Sequence, residues 1–257
     1  MKREELLKKI TLVAGKETLK WFGKTGVKYT KKHSEDVVTE ADLQSEKILV
    51  TAIKKHFPED GIISEESSDY NTDAEYVWIM DPLDGTWNFS KNIPIYGVLV
   101  AIAKKREVIA GAAYFPKLDE FYFAQLGKGA TLNGKKIICS DKKEIINLRI
   151  SGHLQPEGEF KKQTNKLFDA LETKRCWYTD MGCGAYDMCL VAAGKSHLGY
   201  FPAIGGQIWD VAAPYIIMGE AGCKLTNVLG ERVNLNDKIN AVAANPTLHK
   251  KIMKIIK

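Results

Sequence analysis

Apolar positions open the chain at helical spacing: Leu6, Leu7, Ile10, Val13 and Ala14 share one face. The same period returns from Thr39 through Ile48, Leu49, Ala52, Ile53 and Phe57, where Pro58 stops it. The period then shortens. Tyr76–Met80, Gly97–Lys104, Val108–Tyr114 and Glu120–Ala124 read as strands, and Asn133-Gly134 gives a hairpin signal. Beyond residue 144 strands and helices alternate. Leu148–Ser151, Cys176–Thr179, His197–Phe201, Lys224–Val228 and Ala241–Ala244 read as strands. Phe160–Glu172, Ala185–Ala193, Val211–Glu220 and Thr247–Ile256 read as helices, and Gly222 is placed to end the third. The pattern predicts a mixed α+β and α/β chain. One unit, 1–257, is expected, with approximate halves 1–143 and 144–257.

Composition narrows this picture. A chain of 257 residues can bury a sizeable core, and 45% apolar with 27% charged residues is ordinary for a globular protein. No apolar run reaches the roughly 20 residues of a membrane span. The amino terminus lacks the continuous apolar core of a signal peptide, so a cytoplasmic protein is expected. The net charge of +5 comes from scattered lysines without interleaved aromatics. No nucleic-acid motif is present, and neither a nucleic-acid nor a membrane partner is expected. Five cysteines without a CxxC pair fit free thiols.

Candidate chemistry sits at junctions between elements. "WIMDPLDGTWNF", Trp78 to Phe89, leads an apolar strand into two aspartates around a proline. Asp81 is expected at the strand end, since Pro82 cannot donate to a further ladder bond. Gly85 permits an unusual backbone angle, and Thr86 is expected to start a short helix. Asp81 and Asp84 then either cap a plain turn or hold a hard cation, with backbone N–H groups free for a phosphate. Glu65 and Glu66 follow a short apolar run. Asp210 stands at the start of an apolar helix, where it is an N-cap or a ligand. Asp42 lies three residues after Thr39, the spacing of a capping box.

In this order the elements resemble the inositol monophosphatase family, whose superfamily includes fructose-1,6-bisphosphatase and 3'(2'),5'-bisphosphate nucleotidases. "DPLDGT" (Asp81–Thr86) matches the family's DP(I/L)DGT. "SEE" (Ser64–Glu66) matches GEE, "WDVAA" (Trp209–Ala213) matches WDxAA, and "TEAD" (Thr39–Asp42) matches TxxD. The resemblance spans essentially the whole chain. It implies a layered α-β-α-β-α sandwich and a Mg²⁺-dependent, lithium-sensitive phosphomonoesterase with two or three ions, working as a homodimer on a small phosphorylated metabolite. Carried across, Glu65, Asp81 and the Leu83 carbonyl hold one ion, and Asp81, Asp84 and Asp210 a second. Glu65 and Thr86 orient a water, with Asp42 holding the Thr86 hydroxyl. Gly85 and Thr86 N–H groups receive the phosphate. Asp84, Asp210, Gly182, Gly184 and the position of Ala203 face the substrate, and Lys31 and Asp36 belong to a lid.

The chain departs from the family at Ala203, where members preferring inositol phosphate carry a glutamate that binds sugar hydroxyls. An alanine methyl cannot accept such a bond. Trp87 replaces a commoner threonine and either lines the pocket mouth or packs. The resemblance therefore implies hydrolysis of a phosphorylated polyol or sugar. Fructose-1,6-bisphosphatase, bisphosphate nucleotidase and histidinol-phosphatase activity are alternatives on the same chemistry. A non-catalytic regulatory protein is a further alternative, disfavoured by the intact ligand set.

Overall fold

The computed structural model describes residues 1–24, 38–152, 160–202, 207–233 and 240–257. Lys31, Asp36 and Ala203 lie outside the described residues. Two helices come first, α1 (Arg3–Thr18) and α2 (Glu40–His56). A seven-stranded sheet follows: β1 (Gly61–Ser64), β2 (Tyr76–Asp84), β3 (Gly97–Lys104), β4 (Glu107–Phe115), β5 (Glu120–Gln125), β6 (Ala130–Leu132) and β7 (Lys135–Ile137). A short α3 (Thr86–Ser90) interrupts it after β2. The strands lie in sequence order, with β1 and β2 parallel and the rest an antiparallel meander. Asn133 and Gly134 both take positive φ, as a tight hairpin needs.

The second part contains β8 (Arg149–Ser151), α4 (Lys161–Leu171), β9 (Trp177–Thr179), α5 (Gly184–Ala192) and β10 (Leu198–Phe201). It continues with α6 (Ile208–Glu220), β11 (Lys224–Thr226), β12 (Ala241–Ala244) and α7 (Pro246–Ile256). Its five-stranded sheet runs β11-β12-β10-β8-β9.

Strand alternation builds the layers. In β3, Val98, Val100 and Ile102 face α1 and α2, where they meet Leu6, Ile10, Leu49 and Ile53. Leu99, Ala101 and Ala103 face the other way, onto α5 and α6. In β12, Ala241 and Ala243 join that same central core, while Val242 and Ala244 turn outward to α4 and α7. The result is a five-layer α-β-α-β-α stack. Composition explains the order: α5 and α6 are apolar on nearly every side, as a helix between two sheets must be.

Three expectations change in detail. β2 does not stop at Asp81 but pairs with β3 as far as Asp84↔Gly97. A register shift between Asp81 and Asp84 lets the strand pass Pro82 without its missing donor. The apolar run before Glu65 is a strand in its own right, β1. Helix α6 begins two residues before Asp210, with Gln207 as its N-cap, so Asp210 occupies the third helical position rather than the cap.

Candidate metal centre

The loop after β2 is held on several sides. Asp81 is 1% exposed, and its Oδ1 accepts from Leu83 N at 2.8 Å. Ser45 on α2 donates to the Pro82 carbonyl at 2.7 Å. Gly85 has φ 85°, and a Cβ there would lie 3.1 Å from the Ile95 carbonyl and 3.2 Å from the Cys183 Cβ. Only glycine meets both demands. Thr86 Oγ1 lies 3.0 Å from Leu83 O and 3.4 Å from Asp42 Oδ1. The capping box at α2 is present. Thr39 N donates to Asp42 Oδ2 at 2.9 Å, and the Thr39 hydroxyl donates to the same oxygen. Asp42 thus closes its helix and reaches Thr86 with its other oxygen. Burial pushes its pKa up to about 6, against the lowering effect of the Thr39 bonds.

Three carboxylates converge. Strand β1 runs parallel to β2 with Ser64 opposite Met80, which brings Glu65 beside Asp81. The alternation that points Val77 and Ile79 at the central core points Asp81 the same way, toward α6 and Asp210. Asp210 is steadied by Gln207 N–H, which donates to its Oδ2. One oxygen each from Glu65, Asp81 and Asp210 lies within 4.8 Å of the other two. Burial, then repulsion from Glu65, Asp210 and Asp84, raises the Asp81 pKa well above the usual carboxylate range. Burial and Asp84 push Asp210 up to about 7. The charged groups that raise the Asp81 pKa are Glu65, Asp210 and Asp84, all acids. An all-oxygen, multi-carboxylate set fits a hard divalent cation. A cavity of about 930 Å³ is lined in part by Ile63, Ile79 and Ile208, each two residues before one of the acids.

Asp84 stands apart from the three. Its Oδ2 accepts from the Cys183 thiol at 2.8 Å and from Ala185 N at 3.2 Å. The Gly85 N–H also turns to this carboxylate. Burial raises the Asp84 pKa, and these three donors oppose the rise. Gly182 and Gly184 lie in the turn that supplies Cys183. A Cβ on Gly184 would meet nothing within 4 Å, so space opens over it. Trp87 is 59% exposed with Lys91 Nζ 4.7 Å above its ring, which places it on the surface rather than in the core.

Sequence reasoning missed Cys183, Asn88 and Asp187. Asn88, buried in α3, donates to Ile95 O and Met181 O, both at 2.8 Å. Asp187 Oδ2 accepts from Met181 N at 2.9 Å. The only signal was position: Asn88 follows the DPLDGT loop directly, and Asp187 stands four residues after Cys183.

Comparison with known proteins places this geometry among relatives. The profile describing the "Inositol monophosphatase family" matches residues 3–257. The chain is 30% identical over 222 residues to "Fructose-1,6-bisphosphatase/inositol-1-monophosphatase" of Thermotoga maritima, covering 86% of this chain and 83% of that one. It is 33% identical over 232 residues to "Nus factor SuhB" of Pasteurella multocida, covering 87% and 84%. The crystal structure of the extragenic suppressor protein suhB from Bartonella henselae superposes with a TM-score of 0.88 at 28% identity, covering 98% of this chain and 97% of that one.

Proposed function

This chain belongs to the inositol monophosphatase family, and from that premise we propose that it is a Mg²⁺-dependent phosphomonoesterase acting on a small phosphorylated polyol or sugar. The observation that carries the reading is the convergence of Glu65, Asp81 and Asp210 at the end of the DPLDGT strand. These three, with the Leu83 carbonyl and Asp84, are the residues that would hold the ions. Bound Mg²⁺ would neutralise the phosphate and make a water more acidic. The chain's own groups do the rest. Glu65 and the Thr86 hydroxyl orient the attacking water, and Asp42 fixes that hydroxyl. The Thr86 N–H faces the phosphate; the Gly85 N–H joins it once released from Asp84. Gly182 and Gly184 leave room for the leaving group, next to Asp84 and Asp210. The working unit is a homodimer, and Li⁺ inhibits by displacing a magnesium.

Asp81→Asn tests the chemistry. It should leave the fold intact and nearly abolish phosphate release; near-wild-type turnover at saturating Mg²⁺ would reject the assignment. The Thermotoga relative's double name favours fructose 1,6-bisphosphate as a second substrate. Phosphate release across inositol 1-phosphate, fructose 1,6-bisphosphate, a nucleoside 3',5'-bisphosphate and histidinol phosphate ranks them. The relatives named as Nus factors add a role outside catalysis. A chain that releases phosphate from none of these esters would favour that role alone.

A further inference from the structure

The turn at residues 180–185 forms the leaving-group side of the candidate site, yet it lies about a hundred positions from the DPLDGT loop in sequence. Its placement rests on a few polar contacts. Met181 is held through both of its backbone polar groups, which belong to adjacent peptide units: Asn88 Nδ2 donates to its carbonyl at 2.8 Å, and Asp187 Oδ2 accepts from its N–H at 2.9 Å. Asn88 is 4% exposed and sits two residues after Thr86. The same Nδ2 donates to Ile95 O at 2.8 Å, on the segment that leads into β3. One amide nitrogen therefore ties three pieces of chain together. The next residue confirms how close the approach is. Gly182 has φ 66°, and a Cβ there would lie 2.9 Å from Asn88 Oδ1. Asp180 Oδ1 accepts from Gly182 N at 2.9 Å and completes the turn.

We propose that Asn88 is a positioning residue that sets the leaving-group wall, Gly182 to Gly184, against the phosphate loop, with Asp187 holding the preceding peptide through the Met181 N–H. The proposal rests on the phosphatase reading and deepens it. Asn88 touches no reacting atom. It fixes the distance between two surfaces: the loop that would hold ions and phosphate, and the turn that would receive the polyol. Both of its bonds go to backbone carbonyls that no other described donor at this junction supplies. Without them the turn keeps Asp84 as a neighbour through Cys183 and Ala185 but loses its fixed offset. The ionic half of the site does not depend on that offset, whereas recognition of a hydroxylated leaving group does.

The test compares two esters and two variants, with Mg²⁺ dependence and melting temperature measured for each. Inositol 1-phosphate needs its leaving group placed; p-nitrophenyl phosphate has an activated one with no hydroxyls to place. For Asn88→Ala, kcat/KM on inositol 1-phosphate should fall about tenfold or more, mainly through KM, while p-nitrophenyl phosphate loses no more than about threefold. Half-saturation by Mg²⁺ should stay put. Asp187→Ala releases the neighbouring peptide of the same turn, at the Met181 N–H, and should give the same split, and Asp187→Asn, which keeps an acceptor, should restore most of it. Should Asn88→Ala fail to fold, the Asp187 pair decides alone. Equal losses on both esters, or no loss on either, overturn the proposal and leave the phosphatase reading standing. A wild-type chain that hydrolyses neither ester overturns that reading, and this proposal with it.

Discussion

Asp81→Asn in the metal-free protein offers a test that needs no substrate. Asp81 shares a space within 4.8 Å of carboxylate oxygens from Glu65 and Asp210, and Asp84 adds to the repulsion. At that separation and an effective dielectric constant of about 20, one like-charge pair costs ~3.5 kcal/mol. The native chain escapes much of this by keeping protons. The raised pKa values of Asp81 and Asp210 mean that the folded state holds protons which the unfolded state releases near pH 4. By linkage, metal-free stability then falls as pH rises from about 4 through about 7. At pH 8, with Asp210 ionised, a residual of about 1–3 kcal/mol is expected to burden the fold. Replacing the Asp81 carboxyl by a neutral amide should return it. For a chain of this size that is a rise of roughly 3–9 °C in melting temperature, larger at pH 8 than at pH 6. Saturating Mg²⁺ should reverse the ranking, because wild type gains binding energy that Asp81→Asn has given up. Thermal melts of both proteins in EDTA and in Mg²⁺ would measure all four states. The reasoning fails if metal-free Asp81→Asn melts no higher than wild type, or if Mg²⁺ raises both equally.

Other expectations follow from single contacts. Gly111→Ala drives a methyl 2.7 Å from Ile216 Cγ2 and 2.9 Å from Ala213 Cα, where α6 lies on β4; urea titration should show a loss of about 1–3 kcal/mol. Asp60 accepts from Arg3 Nε and Nη2 and from Trp78 Nε1 at 2.8 Å. Asp60→Ala should cost on the order of 3 kcal/mol by the same assay, since it strands a cation and a buried indole N–H. Burial, then Lys224, lowers the His249 pKa from 6.5 to about 4. The unfolded chain takes that proton first, so stability should fall as pH drops from 6.5 toward 4. His249→Gln should flatten the melting temperature across that window.

Much of the fold was legible because each layer writes its own period. The unbroken apolar run along β3 shows a strand covered on both faces, and the all-round apolarity of α6 shows a helix with no free side. The acids were legible as junction residues, yet their final roles came from contacts between distant segments. Asp210 reads as an N-cap until Gln207 takes that place. Pro82 reads as a strand end until a register shift carries β2 past it. The Cys183 thiol on Asp84 and the Asn88 bond to Met181 join residues about a hundred positions apart. No local period encodes such a meeting.

The direction in which Asp81 points has a further consequence for assembly. Strand β2 carries Trp78 and Met80 on one face and Val77, Ile79 and Asp81 on the other. A slip of one residue against β3 would exchange those faces. Val77, Ile79 and Met80 would tolerate the exchange, because both sides of this sheet are lined with hydrocarbon. Asp81 would not: it would be driven among Leu6, Ile10 and Leu49, at a cost of several kcal/mol for an unpaired polar group. In a strand this apolar, Asp81 and the Trp78 indole bonded to Asp60 mark the register: a strand shifted by one residue would leave both polar groups without their partners.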